Sequence, residues 1–443
     1  MAEVLEILPF KNAISGVASI PGSKSITNRA LILASLNANP IKLCGTLFSD
    51  DTRFMVQALQ KLGFEIQVCE KEKTIDIIGL GGEIPNKRAD LFVGNAGTAA
   101  RFLTAMLATT KNGFFKLDGT EAMRKRPMRG LLEFLSEKGV EFSFHQKKWH
   151  FPFTMKTKSL EAGSWTVDAS ASSQILSALM MIAPILNEDV HIQLKGDTVS
   201  KPFVVMTYKM MKQFGCGIDS FRNHSFKIPS SSNYQCSQSS YQVEPDATAA
   251  SYYFTLPFIS GGKINVRGIP RNSLQGDIAY LQTIESLGFQ IKQSDSNIQV
   301  SIEKELLISG GNFDFNSISD TFLTLAAVSP LMESTLKIYG IEHTRKQETD
   351  RIHAMATELK KLGQEVKESE DSITITPNKA ALVRIAKEQP IVHTYEDHRV
   401  SMSFAILGSY DLLKNQSPWL RIEDPYCCSK TFPNFYQELT KFR

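Results

Sequence analysis

Helical and strand-like hydrophobic patterns alternate along this chain, and the alternation repeats. An amphipathic stretch, a single Gly and an alternating apolar run occur together at 59–66 (LQKLGFEI), 135–142 (LSEKGVEF), 211–218 (MKQFGCGI), 284–291 (IESLGFQI) and 359–366 (LKKLGQEV). Their glycines, Gly63, Gly139, Gly215, Gly288 and Gly363, lie 73 to 76 residues apart. Self-similarity at a fixed period marks a repeat architecture. Each copy reads as a helix closed by a Gly able to take the left-handed conformation, followed by a strand. A sixth copy falls due near residue 438, where 435–442 (FYQELTKF) offers a helix without its following strand.

A second series interleaves with the first. Apolar helical stretches open near Ser25, Thr98, Ser173, Thr248, Thr321 and Arg399, spaced 73 to 78 residues apart. Each unit of about 75 residues therefore holds two helices separated by short strands, such as 74–78 and 372–375. The apolar run at 4–8 is placed to complete the sixth unit, which ties both chain ends into one domain. Breaks at Ile20-Pro21-Gly22 and in the Ser-rich stretch 229–241 suggest two crossovers. The expected division is a middle domain over 22–243 and a discontinuous domain made of 1–21 and 244–443, three units in each.

Composition adds bounds. A chain of 443 residues exceeds what one core organises, so two domains are expected on length alone. With 42% apolar and 21% charged residues and a net charge of +3, nothing points to a nucleic-acid or membrane partner. Positive charge for anionic ligands must then be concentrated locally. The first twenty residues carry Glu3, Glu6 and Lys11 and do not read as a secretory signal. The longest near-apolar run, 175–186, is too short to span a bilayer comfortably. Six cysteines without CxxC pairs or His partners at zinc spacing fit a reduced cytosolic setting, with a vicinal redox pair at Cys427-Cys428 as the alternative. No obligate interface is evident, so a monomer is expected.

Candidate chemistry gathers at helix starts. Pro21-Gly22-Ser23-Lys24-Ser25 precedes one helix, Gly94-Asn95-Ala96-Gly97-Thr98 a second and Ser170-Ala171-Ser172-Ser173-Gln174 a third. Ser200-Lys201-Pro202 and Ser429-Lys430-Thr431 look alike. Free N–H groups and the positive dipole end make each terminus a candidate anion site, although ordinary capping explains any single case. The cations tip the balance. Lys24, Arg29, Arg126, Lys201 and Lys430 stand where the dipole disfavours positive charge, and repeated breakage of a local rule points to function. In the last third, Arg345 to Arg351 reads as a helix start, as does Tyr395-Glu396-Asp397-His398-Arg399, and Asp320 precedes another. Glu348 and Asp350 have a bland reading as dipole-favourable caps, and His398 as a structural histidine.

At these residues the sequence resembles the 5-enolpyruvylshikimate-3-phosphate synthase family. The matches are PGSKSITNRA (21–30), GNAGTAARFLTA (94–105), RKRPM (124–128), SSQILSALMMIAP (172–184), GDTVSKP (196–202), VEPDATAASYYF (243–254), ETDRIHAMATELKKLG (348–363), EDHRVSMSFA (396–405) and KTFPNF (430–435). The resemblance implies an α/β protein, a two-domain inside-out α/β barrel with three βαβαββ units per domain and substrates between the domains. It implies transfer of enolpyruvyl from phosphoenolpyruvate to the 5-hydroxyl of shikimate 3-phosphate through a tetrahedral intermediate, with no cofactor and no metal. By the same resemblance, Lys24 contacts both substrates. Ser25, Arg29, Ser172, Ser173 and Ser200 hold shikimate 3-phosphate, with His343 and Gln347 at neighbouring positions, and Gln174 lies between the ligands. Gly97, Arg126, Arg351, Arg399 and Lys430 hold phosphoenolpyruvate. Asp320 accepts the hydroxyl proton, Glu348 exchanges protons with the methylene carbon, and Lys24 assists. Two phosphates at about −1.5 to −2 each, with two carboxylates, bring roughly −5 to −6 to these groups, against six cations.

The chain departs from the family pattern at several points. Gln347 replaces a usual Lys, His343 a usual Asn and Phe203 a usual Tyr, while Phe102 stands where Pro is usual. The cation missing at Gln347 is supplied from Lys346 or, in part, from His343, or not at all. Phe102 bears on the phosphoenolpyruvate pocket and on sensitivity to glyphosate, the family's characteristic inhibitor. Two rivals were weighed. A related transferase acting on UDP-N-acetylglucosamine carries a catalytic Cys in the loop corresponding to 118–126, where this chain has none. A non-catalytic binding protein would tolerate loss of Asp320 or Glu348, and both are present.

Overall fold

The computed structural model describes residues 3–170, 172–196, 201–218, 220–222, 225–230, 234–303 and 307–443. Ser200 lies outside the described residues.

The protein is a mixed α/β chain whose strands fall into six small sheets among the described residues, five of four strands and one of three. One pattern recurs in all five. Strand Arg88–Phe92 runs parallel to Gly113–Asp118, which pairs antiparallel with Phe153–Thr157, which pairs antiparallel with Glu141–Phe144. The parallel pair requires a crossover, and helix Gly97–Ala108 supplies it. The sheets built on Ile41–Cys44, Val190–Leu194, Gly262–Arg267 and Leu336–Tyr339 repeat this parallel–antiparallel–antiparallel order. In the three-stranded sheet, Ile391–Val392 runs parallel to Leu420–Glu423, whose other edge pairs antiparallel with Val4–Ile7. The N-terminal apolar run thus joins the C-terminal sheet.

The glycine series behaves as helix punctuation. Gly63, Gly139, Gly215, Gly288 and Gly363 each follow a helix by two residues, with φ between +80° and +96°. That left-handed region costs a β-carbon-bearing residue about 1 kcal/mol or more, so the period of the glycines is the period of the helix ends.

Two compact units divide the chain, Met1–Pro21 with Pro245–Arg443, and Gly22–Glu244. In the middle unit, helices Lys24–Leu36, Gly97–Ala108 and Ser173–Ile182 pack on one another. In the discontinuous unit, Ala247–Ser260, Phe322–Val328 and His398–Gly408 do the same. Every residue of Gly97–Ala108 and His398–Gly408 is buried, including the charged or polar Arg101, His398 and Arg399 near their starts. The helices ended by the glycine series, such as Asp50–Lys61 and Arg129–Glu137, are amphipathic and pack one face against these central helices.

Two helix starts differ from expectation. The last-third helix begins at Arg351, not at Arg345. A 3-10 turn Glu342–Lys346 precedes it, and Asp350 caps it by accepting from the His353 amide at 3.0 Å. Lys430 ends a 3-10 turn, Pro425–Lys430, and the helix follows only at Phe435. Pro433 explains the break, because the residue before a proline is disfavoured in the helical region.

Candidate active site

In the middle unit, helix Lys24–Leu36 starts without an acidic residue in its first turn and without a side-chain cap from Ser23. Helix Gly97–Ala108 likewise has no side-chain cap and no first-turn acid. Their opening amides are therefore not occupied by the usual capping groups. At the third start, Ser172 does serve as a cap, accepting from the Gln174 amide at 3.3 Å.

Arg29 sits one and a half turns into its helix, is 1% exposed, and among the described residues meets neutral groups. Its Nε donates to the Thr207 hydroxyl at 2.7 Å, and its terminal nitrogens donate to the Ser25 carbonyl, the Ser177 hydroxyl and the Phe203 carbonyl at 3.1 to 3.4 Å. Phe102 and Phe203 flank the guanidinium at 5.2 and 5.9 Å. Among the described residues no carboxylate pairs with it. Burial without a counter-charge lowers its pKa to about 9, so it remains a cation at neutral pH. Phe203, where a Tyr is usual, keeps the ring contact and lacks only the hydroxyl. Lys24 is held 3.4 Å from the buried carboxylate of Asp51.

Gly97 lies beneath two arginines. A β-carbon there would sit 2.9 Å from a terminal nitrogen of Arg101 and from one of Arg126. Arg101 donates to the Gly97 carbonyl at 3.1 Å, to the Gln174 side-chain oxygen at 2.8 Å and to the Pro127 carbonyl at 2.7 Å. Arg126 donates to the Asn95 carbonyl at 3.2 Å. Arg101 thus ties the second helix start to the third. It was missed in the sequence, although its spacing of four from Gly97 places both on one helix face.

The discontinuous unit builds a different centre. Arg351 is also 1% exposed. It donates to Asp397 through Nε at 2.7 Å, to Asp320 at 2.8 Å, to Glu348 at 2.9 Å and to the side-chain oxygen of Gln347. Burial alone would lower its pKa, but Asp397, Glu348 and Asp320 hold it above the ordinary arginine range. Arg399 donates to the second oxygen of Asp320 at 2.7 Å, and Lys430 lies 3.0 Å from Glu348. Three cations here meet three carboxylates, so the six-cation tally read from the sequence overstates the uncompensated charge.

Two neighbours change the picture further. Burial lowers the pKa of His343 against the opposing pull of Asp320, and its Nε2 lies 2.7 Å from the Ser319 hydroxyl. His343 is therefore neutral and does not replace the missing lysine charge. Gln347 faces Arg351, and Lys346 is exposed. Asp277, unremarked in the sequence, is buried and accepts from the Thr248 hydroxyl at 3.0 Å. Burial, reinforced by Asp320, raises its pKa to about 7. Nothing in its local sequence signals this, because the burial comes from distant segments.

The fold is one that solved enolpyruvyl transferases share. Its backbone is similar to EPSP synthase from Acinetobacter baumannii, with TM-score 0.80 and 20% identity over 99% of this chain and 98% of that one. It is also similar to the enolpyruvyl transferase NikO from Streptomyces tendae, with TM-score 0.75 and 13% identity over 100% and 98%. The sequence model of EPSP synthase (3-phosphoshikimate 1-carboxyvinyltransferase) matches residues 10–439, and the chain belongs to that family. It is 42% identical to the 3-phosphoshikimate 1-carboxyvinyltransferase of Opitutus terrae, over 100% of this chain and 98% of that protein. The corresponding protein of Nostoc punctiforme is 38% identical over 98% of each.

Proposed function

We propose that this protein transfers the enolpyruvyl group of phosphoenolpyruvate to the 5-hydroxyl of shikimate 3-phosphate, giving 5-enolpyruvylshikimate 3-phosphate and phosphate, as a step toward chorismate and aromatic amino acids. Its units are six copies of one βαβαββ element, three per domain, in an inside-out α/β barrel; the recurring sheet order supports this. The observation that carries the functional reading is that the described motif residues gather into one centre in each unit: in the first, buried Arg29 meets hydroxyls and carbonyls and no carboxylate among the described residues, and in the second, Arg351, Arg399 and Lys430 meet Asp320, Glu348 and Asp397.

The chemistry follows from that contrast. Arg29, with Ser25, Ser172, Ser173, Gln174 and Ser200, receives shikimate 3-phosphate, whose negative charge supplies the counter-ion Arg29 lacks. Gly97, Arg126, Arg351, Arg399 and Lys430 receive phosphoenolpyruvate, the absent side chain at Gly97 leaving room beneath Arg126. Asp320 takes the proton of the attacking hydroxyl. In the free protein two arginines occupy its oxygens, and an arriving anion that draws Arg399 away returns acceptor capacity to that carboxylate. Glu348, held between Arg351 and Lys430, exchanges a proton with the methylene carbon as the tetrahedral adduct forms and collapses, and Lys24 assists. A positioned acid or base is worth roughly 10²–10⁴-fold. No metal or cofactor is needed for these steps. We take the protein to act as a cytosolic monomer; its six free thiols support a reducing setting, and sedimentation velocity tests the monomer.

The deciding experiment is phosphate release by the purified protein with phosphoenolpyruvate and shikimate 3-phosphate, run beside phosphoenolpyruvate and UDP-N-acetylglucosamine. Release with the first pair alone is expected. Release with the second pair only, or with neither, overturns the reading.

A further inference from the structure

The segment that delivers Asp397 and Arg399 is strained. Tyr395 and Glu396 both adopt left-handed backbone conformations, with φ of +57° and +56°, immediately before the helix His398–Gly408. Neither is Gly, Asn or Asp, and two successive side-chain-bearing residues in this region persist only where the surroundings over-determine them. The pair forms the centre of a four-residue turn closed by the Asp397 amide, which donates to the Thr394 carbonyl at 2.9 Å, while Asp397 accepts from the Arg399 amide at 2.9 Å. Positive φ at both central positions suits Gly or Asn, so with Tyr and Glu there this local bond works against strain.

A second restraint comes from helix Arg351–Lys361. Glu358 is a carboxylate only 1% exposed. One of its oxygens accepts from the Tyr395 hydroxyl at 2.8 Å and from Lys361 at 2.7 Å, and the other from the His393 amide at 3.2 Å. Burial and Glu358 both raise the pKa of Tyr395, so its phenol stays protonated and donates. Arg351 and Glu358 are seven residues apart, two turns less about 20°, and so share one helix face about 10 Å apart. From that face Arg351 grips Asp397 at one end of the strained turn while Glu358 grips His393 and Tyr395 at the other. A buried carboxylate is costly unless paired; Lys361 pairs the charge of Glu358, and its remaining acceptor capacity goes to the 393–395 segment.

We propose that Glu358 is a positioning residue for the enolpyruvyl transfer. With Tyr395 it clamps the strained 395–396 turn, and so fixes where Asp397 directs Arg351 and where Arg399 meets phosphoenolpyruvate. This rests on the role given above to Arg399. Glu358 and Tyr395 touch neither substrate; they act through the geometry of the turn.

The test compares wild type with Glu358→Ala and the milder Tyr395→Phe. In both, the KM for phosphoenolpyruvate should rise, about tenfold for Glu358→Ala and about threefold for Tyr395→Phe. The KM for shikimate 3-phosphate should stay within twofold. A merely structural role would lower the melting temperature and the active fraction but leave both KM values of the surviving enzyme unchanged, and that result overturns the proposal. Glycine is at ease in the left-handed region, so adding Glu396→Gly to Glu358→Ala should recover at least threefold of the lost phosphoenolpyruvate KM, and no recovery counts against the clamp. If wild type itself releases no phosphate, the functional reading fails separately. The clamp is then judged from a crystal structure of Glu358→Ala, where Tyr395 and Glu396 leaving positive φ sustains it and an unchanged turn overturns it.

Discussion

Arg29 and Arg351 are equally buried and stand in opposite electrostatic states. Arg29 in the middle unit has two hydroxyls, two carbonyls and two aromatic rings around it, and burial pulls its pKa down to about 9. Arg351 in the discontinuous unit has Asp397, Asp320 and Glu348, and they push its pKa up against the same burial. Depth therefore does not decide what a buried cation is for; its partners do. A guanidinium with only neutral partners retains its attraction for an incoming anion. One gripped by three carboxylates orders those carboxylates, and an anion must compete for it. Asp277 is a buried carboxyl that accepts from the Thr248 hydroxyl, and there burial and Asp320 outweigh the pull of Arg399.

The comparison breaks most clearly in stability. Arg351→Met leaves buried carboxylates without their cation and should cost about 3–5 kcal/mol. Arg29→Met removes a buried charge with no counter-ion and should change stability by no more than about 1 kcal/mol, or raise it. Urea unfolding of the two variants measures this, and equal losses would erase the distinction.

The next effect depends on pH. The folded-state pKa of Asp277, about 7, lies above its unfolded value, so the folded protein binds the extra proton between about 4 and 7. That contribution is fully present below pH 4 and is lost as pH rises through 7, an effect of about 2–4 kcal/mol. Asp277→Asn, whose amide oxygen can still accept from Thr248, should therefore lose less stability than wild type between pH 5 and pH 8. Unfolding curves at both pH values check this, and parallel losses would place the uncompensated charge elsewhere.

Arg29→Ala sharpens the functional side. Loss of one charge-assisted contact is worth about 1.5–3 kcal/mol, or roughly 10- to 150-fold. The loss should fall on the KM for shikimate 3-phosphate far more than on that for phosphoenolpyruvate, and equal losses in steady-state kinetics would contradict the role given to Arg29. The smallest effect belongs to Gln347→Lys. It restores a cation near the shikimate 3-phosphate side but removes the acceptor that faces Arg351. The apparent KM for shikimate 3-phosphate should fall by no more than about fivefold, the worth of a partly exposed pair. An unchanged or raised value would show that Gln347 serves Arg351 rather than the substrate.

The sequence alone determined the periodic part of this protein. Helix ends at the glycine series and helix starts at Ser25, Thr98, Ser173, Thr248, Thr321 and Arg399 were legible, because both are written in residues a few positions apart. The boundaries near Arg351 and Lys430 were less so, since a proline and a 3-10 turn shifted starts that polar residues alone suggested. Only the tertiary structure decided which cations are compensated. Arg29 meets Thr207 from 178 residues away and Arg351 meets Asp397 from 46. Arg101, Asp277 and Glu358 acquire their surroundings in the same way. Charge sign is a property of the residue, but the free energy of holding that charge depends on burial and neighbours that the folded chain brings together, and no local pattern records them.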